Sequence, residues 1–179
     1  MTNNNIVQLS TLVNKIVNFI DNITQKFIVF LLLTMTSVVL LQVFRRYVLN
    51  SALLWPEEVS RYLQIWLTFC GSAVALRKGE HVGVEAIIRL VPERIQLLIR
   101  VLFKIFVAIF LIVFIKFSWV VAFKNMRSTS MALGISLFWV RVALPVGGIL
   151  MLIAQLGNIF NDFLRIRGID NLGTDVVDK

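Results

Sequence analysis

The sequence predicts an all-α polytopic membrane protein. It has four transmembrane helices, an amphipathic helix before the first, and a short interfacial helix between the second and third. Three observations predict this. Hydrophobic residues are 58% of the chain and mean hydropathy is +0.84, well above the globular range. The apolar residues gather into four runs that fill most of the 179 residues, so the chain reads as one membrane domain, 1–179, with no room for a soluble one. The Lys and Arg residues stand at the ends of those runs. A net charge of +8 laid out in that way suits lipid headgroups and membrane topology, and excludes nucleic acid as the partner.

The elements follow in order. Residues 1–22 do not read as a cleaved signal, because they lack a basic start and no A-x-A site follows an apolar core. Ile6, Leu9, Val13, Ile16, Ile20 and Ile23 recur at helical spacing, with Asn14, Lys15, Asn18 and Asp21 between them. That pattern is an amphipathic helix, either lying in the membrane interface or leading into the first span. The first span covers about 24–46. Its uncharged stretch, 27–44, is about 27 Å long at the helical rise, with Lys26 before it and Arg45-Arg46 after it.

A short connection with an Asn-Ser turn signal leads to Pro56, which suits the first turn of the second span, about 56–77. Glu57 and Glu58 sit at the positive end of that helix dipole. The uncharged part, 62–76, is roughly 22 Å long, short of the ~30 Å hydrocarbon core. Glu57, Glu58 and Arg61 therefore lie at the bilayer edge, where a lone charge is costly and usually paired. Gly71 and Ala75, four residues apart, form a small-residue face that lets another helix approach closely. Arg77, Lys78 and Gly79 end the span. Residues 82–90 read as the short interfacial piece, broken by Pro92.

The third span, about 95–123, contains Lys104 and Lys116, about 18 Å apart along the axis, each able to snorkel to its own side. A polar loop, 124–137, precedes the fourth span, about 138–161. Pro145 and Gly147-Gly148 near its start predict a kink or close packing. Placing both termini in the cytoplasm puts 11 of the 18 Lys and Arg on that side and 7 on the other, which agrees with the positive-inside rule.

Glu57, Glu58 and Arg61 stand at i, i+1 and i+4, so both carboxylates can reach the guanidinium. Arg45 and Arg46 end the preceding helix on the same side. These five residues read as an interfacial ion-pair network that fixes helices or docks a partner. A proton or ion relay would need further acids deeper in the spans, and none is there. His81, flanked by Glu80 and Glu85, falls short of the three or four convergent donors of a metal site. No nucleotide-binding loop, nucleophile elbow or Cys-x-x-Cys occurs, so the sequence predicts no enzyme, no cofactor and no metal. Cys70 reads as a small packing residue. Trp55, Trp66, Trp119 and Trp139 read mostly as interface anchors, and Gln42, Gln64, Gln155 and Asn158 as interhelical hydrogen-bonding groups.

Taken together, the chain resembles the small membrane subunit (DctQ type) of tripartite ATP-independent periplasmic, or TRAP, transporters. The resemblance covers most of the chain. It rests on W-x-E-E-x-x-R at Trp55, Glu57, Glu58 and Arg61, and on A-x-R-x-G-x-H at Ala75, Arg77, Gly79 and His81. S-x-A-L at Ser130, Ala132 and Leu133, followed by L-P-V-G at 144–147, completes it. Ile135-Ser136 depart from the pattern, where a proline often precedes the last span.

The resemblance implies a scaffold subunit in a bacterial inner membrane. Its partners would be a large membrane subunit that carries the substrate and sodium sites, and a periplasmic protein that delivers an organic acid anion such as a dicarboxylate or sialic acid. Two rivals come from other classes. A self-sufficient homo-oligomeric transporter would carry a charged or aromatic substrate site deep in a span, and 62–76 offers only Gln64 and Cys70. A haem-bearing membrane anchor would need paired His ligands, and the chain has one His.

Overall fold

The computed structural model describes residues 3–51, 53–78, 93–124 and 126–166. These form five helices: α1 Asn3–Tyr47, α2 Trp55–Arg77, α3 Glu93–Lys124, α4 Phe138–Arg141 and α5 Ala143–Ile166. A lone antiparallel bridge, Thr129 to Ser136, is the β-type pairing among the described residues. The interfacial piece at 82–90, together with Gly79 and His81, lies outside them.

Helix α1 runs unbroken for 45 residues, about 67 Å at the helical rise and over twice the hydrocarbon thickness. The amphipathic N-terminal segment is thus not a separate helix; it is the first half of α1 and leads straight into the span. Nothing at the junction can break it. Residues 20–27 hold neither Pro nor Gly, Thr24 Oγ1 donates to the Ile20 carbonyl at 2.8 Å, and Gln25 Nε2 donates to Asp21 Oδ2 at 2.8 Å. The chain then turns through Asn50, whose φ of 46° is left-handed, a conformation that Asn tolerates better than most residues. Pro56 sits in the first turn of α2 and is buried.

Three described helices are long and apolar enough to cross a membrane: Thr11–Tyr47, Ile99–Lys124 and Phe138–Asp162. Four were expected. The exception is α2, whose 23 residues reach about 34 Å but whose composition falls short. Glu57, Glu58, Arg61 and Arg77 charge its ends, and Gln64, Thr68 and Ser72 interrupt its middle.

Helix α5 is central, with α2 on one side, α3 on the other, and α1 beyond α2. Gly147 and Gly148 make this possible. A Cβ on Gly147 would come within 2.5 Å of Phe69 Cβ on α2, and one on Gly148 within 2.8 Å of Ile115 Cγ1 on α3. Two successive missing side chains let both neighbours close on the α5 backbone. Small residues dominate the interior, among them Ala73, Ala108, Ala122, Ala143 and Ala154, with Cys70 packed among them at 2% exposure. The outward faces of α1 and α3 carry Phe30, Leu33, Leu40, Phe106 and Phe117, all exposed, as suits helices whose solvent is lipid.

Candidate functional site

Polar side chains collect at the two ends of the bundle, and the two ends are built differently. At the end where the loop 126–137 lies, the first turn of α2 presents Glu57 and Glu58 on diverging directions. Glu57 Oε1 accepts from Arg61 Nη2 at 2.8 Å; both side chains are well exposed, at 66% and 63%. Glu58 points instead into the loop. Ser130 Oγ donates to Glu58 Oε2 at 2.7 Å, the Ala132 amide donates to Oε2 at 3.1 Å, and the Met131 amide to Oε1 at 3.2 Å. Ser130 Oγ in turn accepts from the Leu133 amide at 3.0 Å. Three donors on one carboxylate suit its ionised form, which only accepts. The loop can aim those amides because Ser130 and Ile135 pair across it at 2.9 Å and Gly134 adopts a φ of +66°, which glycine takes without strain.

The five charges foreseen as one network are therefore divided. Arg61 holds Glu57, while Glu58 latches a loop 72 residues away. Arg45 Nη2 donates weakly to Ser51 Oγ at 3.4 Å, and its Nε is buried without a partner among the described residues. Arg46 lies over the Tyr47 ring at 5.8 Å. Trp55, at the head of α2, is half-buried.

At the opposite end, Arg77 spans three helices. Its Nη2 donates to Asn18 Oδ1 on α1 at 3.0 Å and its Nη1 to Asn158 Oδ1 on α5 at 3.2 Å. Asn158 Nδ2 closes the set on the Leu76 carbonyl at 2.8 Å. Beside it, a void of about 20 Å³ lined by Val17, Asp21, Thr24, Ala73 and Arg77 has room for about one water. Lys104 of α3 pairs with Asp162 of α5 at 2.5 Å. Gln155, 1% exposed, donates to the Lys104 carbonyl at 2.9 Å.

Gln155 and Asn158 were expected to bridge helices, and they do. Asn18 and Asp162 were missed. The signal for Asp162 was present: it is the acid nearest the end of the last span, and Lys104 needs a counter-charge once the spans pack. The small-residue face behaves otherwise than a packed face of this chain. A Cβ on Gly71 would meet nothing within 4 Å, and Ala75 is exposed, so no described helix of the chain covers them. Among the described residues no three His, Cys, Asp or Glu side chains gather as metal ligands would.

The arrangement ties helices and a loop together. Residues 35–165 match the family described as tripartite ATP-independent periplasmic transporters, DctQ component. The chain belongs to the DctQ family. It is 30% identical over 152 residues to the sialic acid TRAP transporter small permease protein SiaQ of Vibrio cholerae, covering 85% of this chain and 88% of that one. It is 27% identical over 140 residues to a putative TRAP transporter small permease protein of Haemophilus influenzae, covering 78% of this chain and 87% of that one. It is 32% identical over 123 residues to the sialic acid TRAP transporter permease protein SiaT of Haemophilus influenzae, covering 68% of this chain and 20% of that one. In SiaT the DctQ-like segment is thus a fifth of a much longer permease chain. This DctQ protein is a multi-pass membrane component of a TRAP transport system, not an enzyme.

The structure joins stretches that stand apart in the sequence. Glu58 and the S-x-A-L run are two halves of one contact, since Glu58 accepts from Ser130, Met131 and Ala132. Arg77 in the A-x-R piece is the guanidinium that joins α1, α2 and α5.

Proposed function

We propose that this chain is the scaffold subunit of a sodium-coupled uptake system for an organic acid anion in a bacterial inner membrane. It pairs with a large membrane subunit that carries the solute, and with a periplasmic protein that delivers it. The whole chain acts as one membrane unit. Helix α2 is its fourth crossing, sheltered between α1 and α5, and both termini face the cytoplasm. Sialic acid is the first anion to test, from the names of two relatives, and a C4-dicarboxylate the second.

The observation that carries this reading is how the polar groups are used. Glu58, Arg77, Asn158, Gln155, Lys104 and Asp162 each bind another element of the same chain. A surface groove of about 400 Å³ is lined almost wholly by apolar side chains, unlike a path for an anion. The relative that carries a DctQ-like segment within a chain five times as long supports a large membrane partner.

The test is reconstitution. The tagged chain, coexpressed with its large permease and binding protein, is purified and placed in liposomes under a sodium gradient. Uptake is expected only when all three are present. Uptake by the chain alone would overturn the scaffold reading in favour of a self-sufficient homo-oligomer. A protease-protection assay on a tag at Lys179 tests the orientation: protection from the periplasmic side is expected, and cleavage there would overturn it.

A further inference from the structure

The outward residues of α2 differ in kind from those of its neighbours. Glu57, Arg61, Gln64, Thr68, Ser72 and Ala75 are all exposed, and their spacing places them on one helix face. Each is polar or small, where α1 and α3 show lipid Phe and Leu. Thr68 and Ser72 satisfy their hydroxyls on their own helix, donating to the Gln64 and Thr68 carbonyls at 2.8 Å. The Gln64 carboxamide has no such outlet and no partner among the described residues. It sits about 12 Å along the axis from Pro56, within the hydrocarbon if α2 crosses. An unpaired amide facing acyl chains is unfavourable, and a neighbouring helix with a donor or acceptor relieves it.

The same face borders a groove. Helices α2 and α3 both lean on α5 and meet through the stacked rings of Phe69 and Phe114, 5.9 Å apart. Toward the Arg77 end they separate, leaving the groove of about 400 Å³ between Ser72, Ala75 and Leu76 on α2, Val107 and Leu111 on α3, and Met151 on α5. A bulky apolar side chain fits there, entering past Ser72 and Ala75.

We propose that this face of α2 is where a transmembrane helix of the large permease subunit docks, with a hydrogen-bonding side chain opposite Gln64 and a large apolar one in the groove. The proposal rests on the scaffold reading above. Lipid is the poorer occupant, because acyl chains offer Gln64 no partner. A second copy of this chain is the poorer protein occupant, because a relative carries a similar segment as a fifth of one longer permease chain, covalently joined to a large membrane polypeptide.

Photocrosslinking tests the face directly. In a Cys70→Ala background, Ser72→Cys carries a benzophenone maleimide in the full complex, and Leu40→Cys on the outward face of α1 serves as the reference. Ser72→Cys is expected to give an adduct with the large subunit, and Leu40→Cys little or none. In a second measurement, Gln64→Leu is expected to lower the copurified large subunit by roughly threefold to tenfold, the range for one interhelical hydrogen bond. Its own elution profile should stay unchanged. An adduct from Leu40→Cys instead of Ser72→Cys, an adduct of two copies of this chain, or labelling of lipid alone overturns the proposed face and leaves the scaffold reading intact. Absence of the large subunit from the purified wild-type complex overturns both.

Discussion

The two polar ends of the bundle solve the same problem by different means. At the loop end, charge is handled by close sequence neighbours and backbone: Glu57 and Arg61 are one helical turn apart, and Glu58 is capped by loop amides. At the Arg77 end, charge is handled by side chains from distant spans, with Arg77 reaching partners 59 and 81 residues away and Lys104 one 58 residues away. The loop end is wet and can lose a contact to water at little cost. The Arg77 end has its groups between helices, where a lost partner leaves a group stranded. Stability should therefore concentrate at the Arg77 end.

The largest effect is expected from Arg77→Ala. It removes two hydrogen bonds from a charged donor and frees Asn158 and Asn18, at a cost of about 2–3 kcal/mol. Thermal unfolding in detergent checks this. Arg77→Lys should recover only part, because one ammonium cannot reproduce the planar fork that reaches two helices. If Arg77→Ala melts with the wild type, the comparison between the ends collapses.

Next comes Asp162→Ala, which strands Lys104. The two side chains are 24% and 20% exposed, so the cost should fall at about 1–2 kcal/mol, between the values for exposed and buried pairs. The double change Lys104→Met with Asp162→Leu should cost less than the single one, since it leaves no charge behind. A double change worse than either single would show that the pair contributes more than mutual compensation.

Glu58→Ala should act locally. The amides of Met131 and Ala132 lose their acceptor but lie exposed to water, so global unfolding should shift little while hydrogen exchange at those two amides speeds up. Glu58→Gln, which keeps an acceptor oxygen, should be milder. Slow exchange in Glu58→Ala would mean the loop holds its shape without the latch. Glu57→Ala should be smallest, about 0.5 kcal/mol or less and weaker still at high salt, as for other exposed pairs. The two glutamates, adjacent in sequence and expected to act alike, should separate in this series.

The apolar runs made three of the four long helices legible as spans, while the first helix begins well before its apolar run and α2 falls short of a span by composition. Gly147-Gly148 was legible as a site of close packing because small side chains have few other uses inside a span. The continuity of α1 was harder. An amphipathic pattern followed by an apolar one suggests two elements, and the absence of a breaker between 20 and 27 was the signal that decided it. The Glu57–Arg61 pair could be read from its four-residue spacing. The Glu58 latch could not, because its donors are backbone amides, which every residue but proline carries and no sequence pattern singles out. The Arg77 partners were hidden for another reason: Asn18 lies on an antiparallel neighbour and Asn158 on a parallel one, and which residues of separate helices come level depends on every intervening loop.

The glycine pair of α5 has a consequence beyond tight packing. Where rods are pinched together at one level, any inclination between them opens a gap away from that level. Phe69 and Phe114 mark the waist, and the opening between Ser72 and Val107 lies one to two turns below. Two absent side chains thus sculpt a recess at a distance. A Cβ added at Gly148 would press on the Ile115 and Phe114 side chains of α3, so the recess could be reshaped by a residue that does not line it.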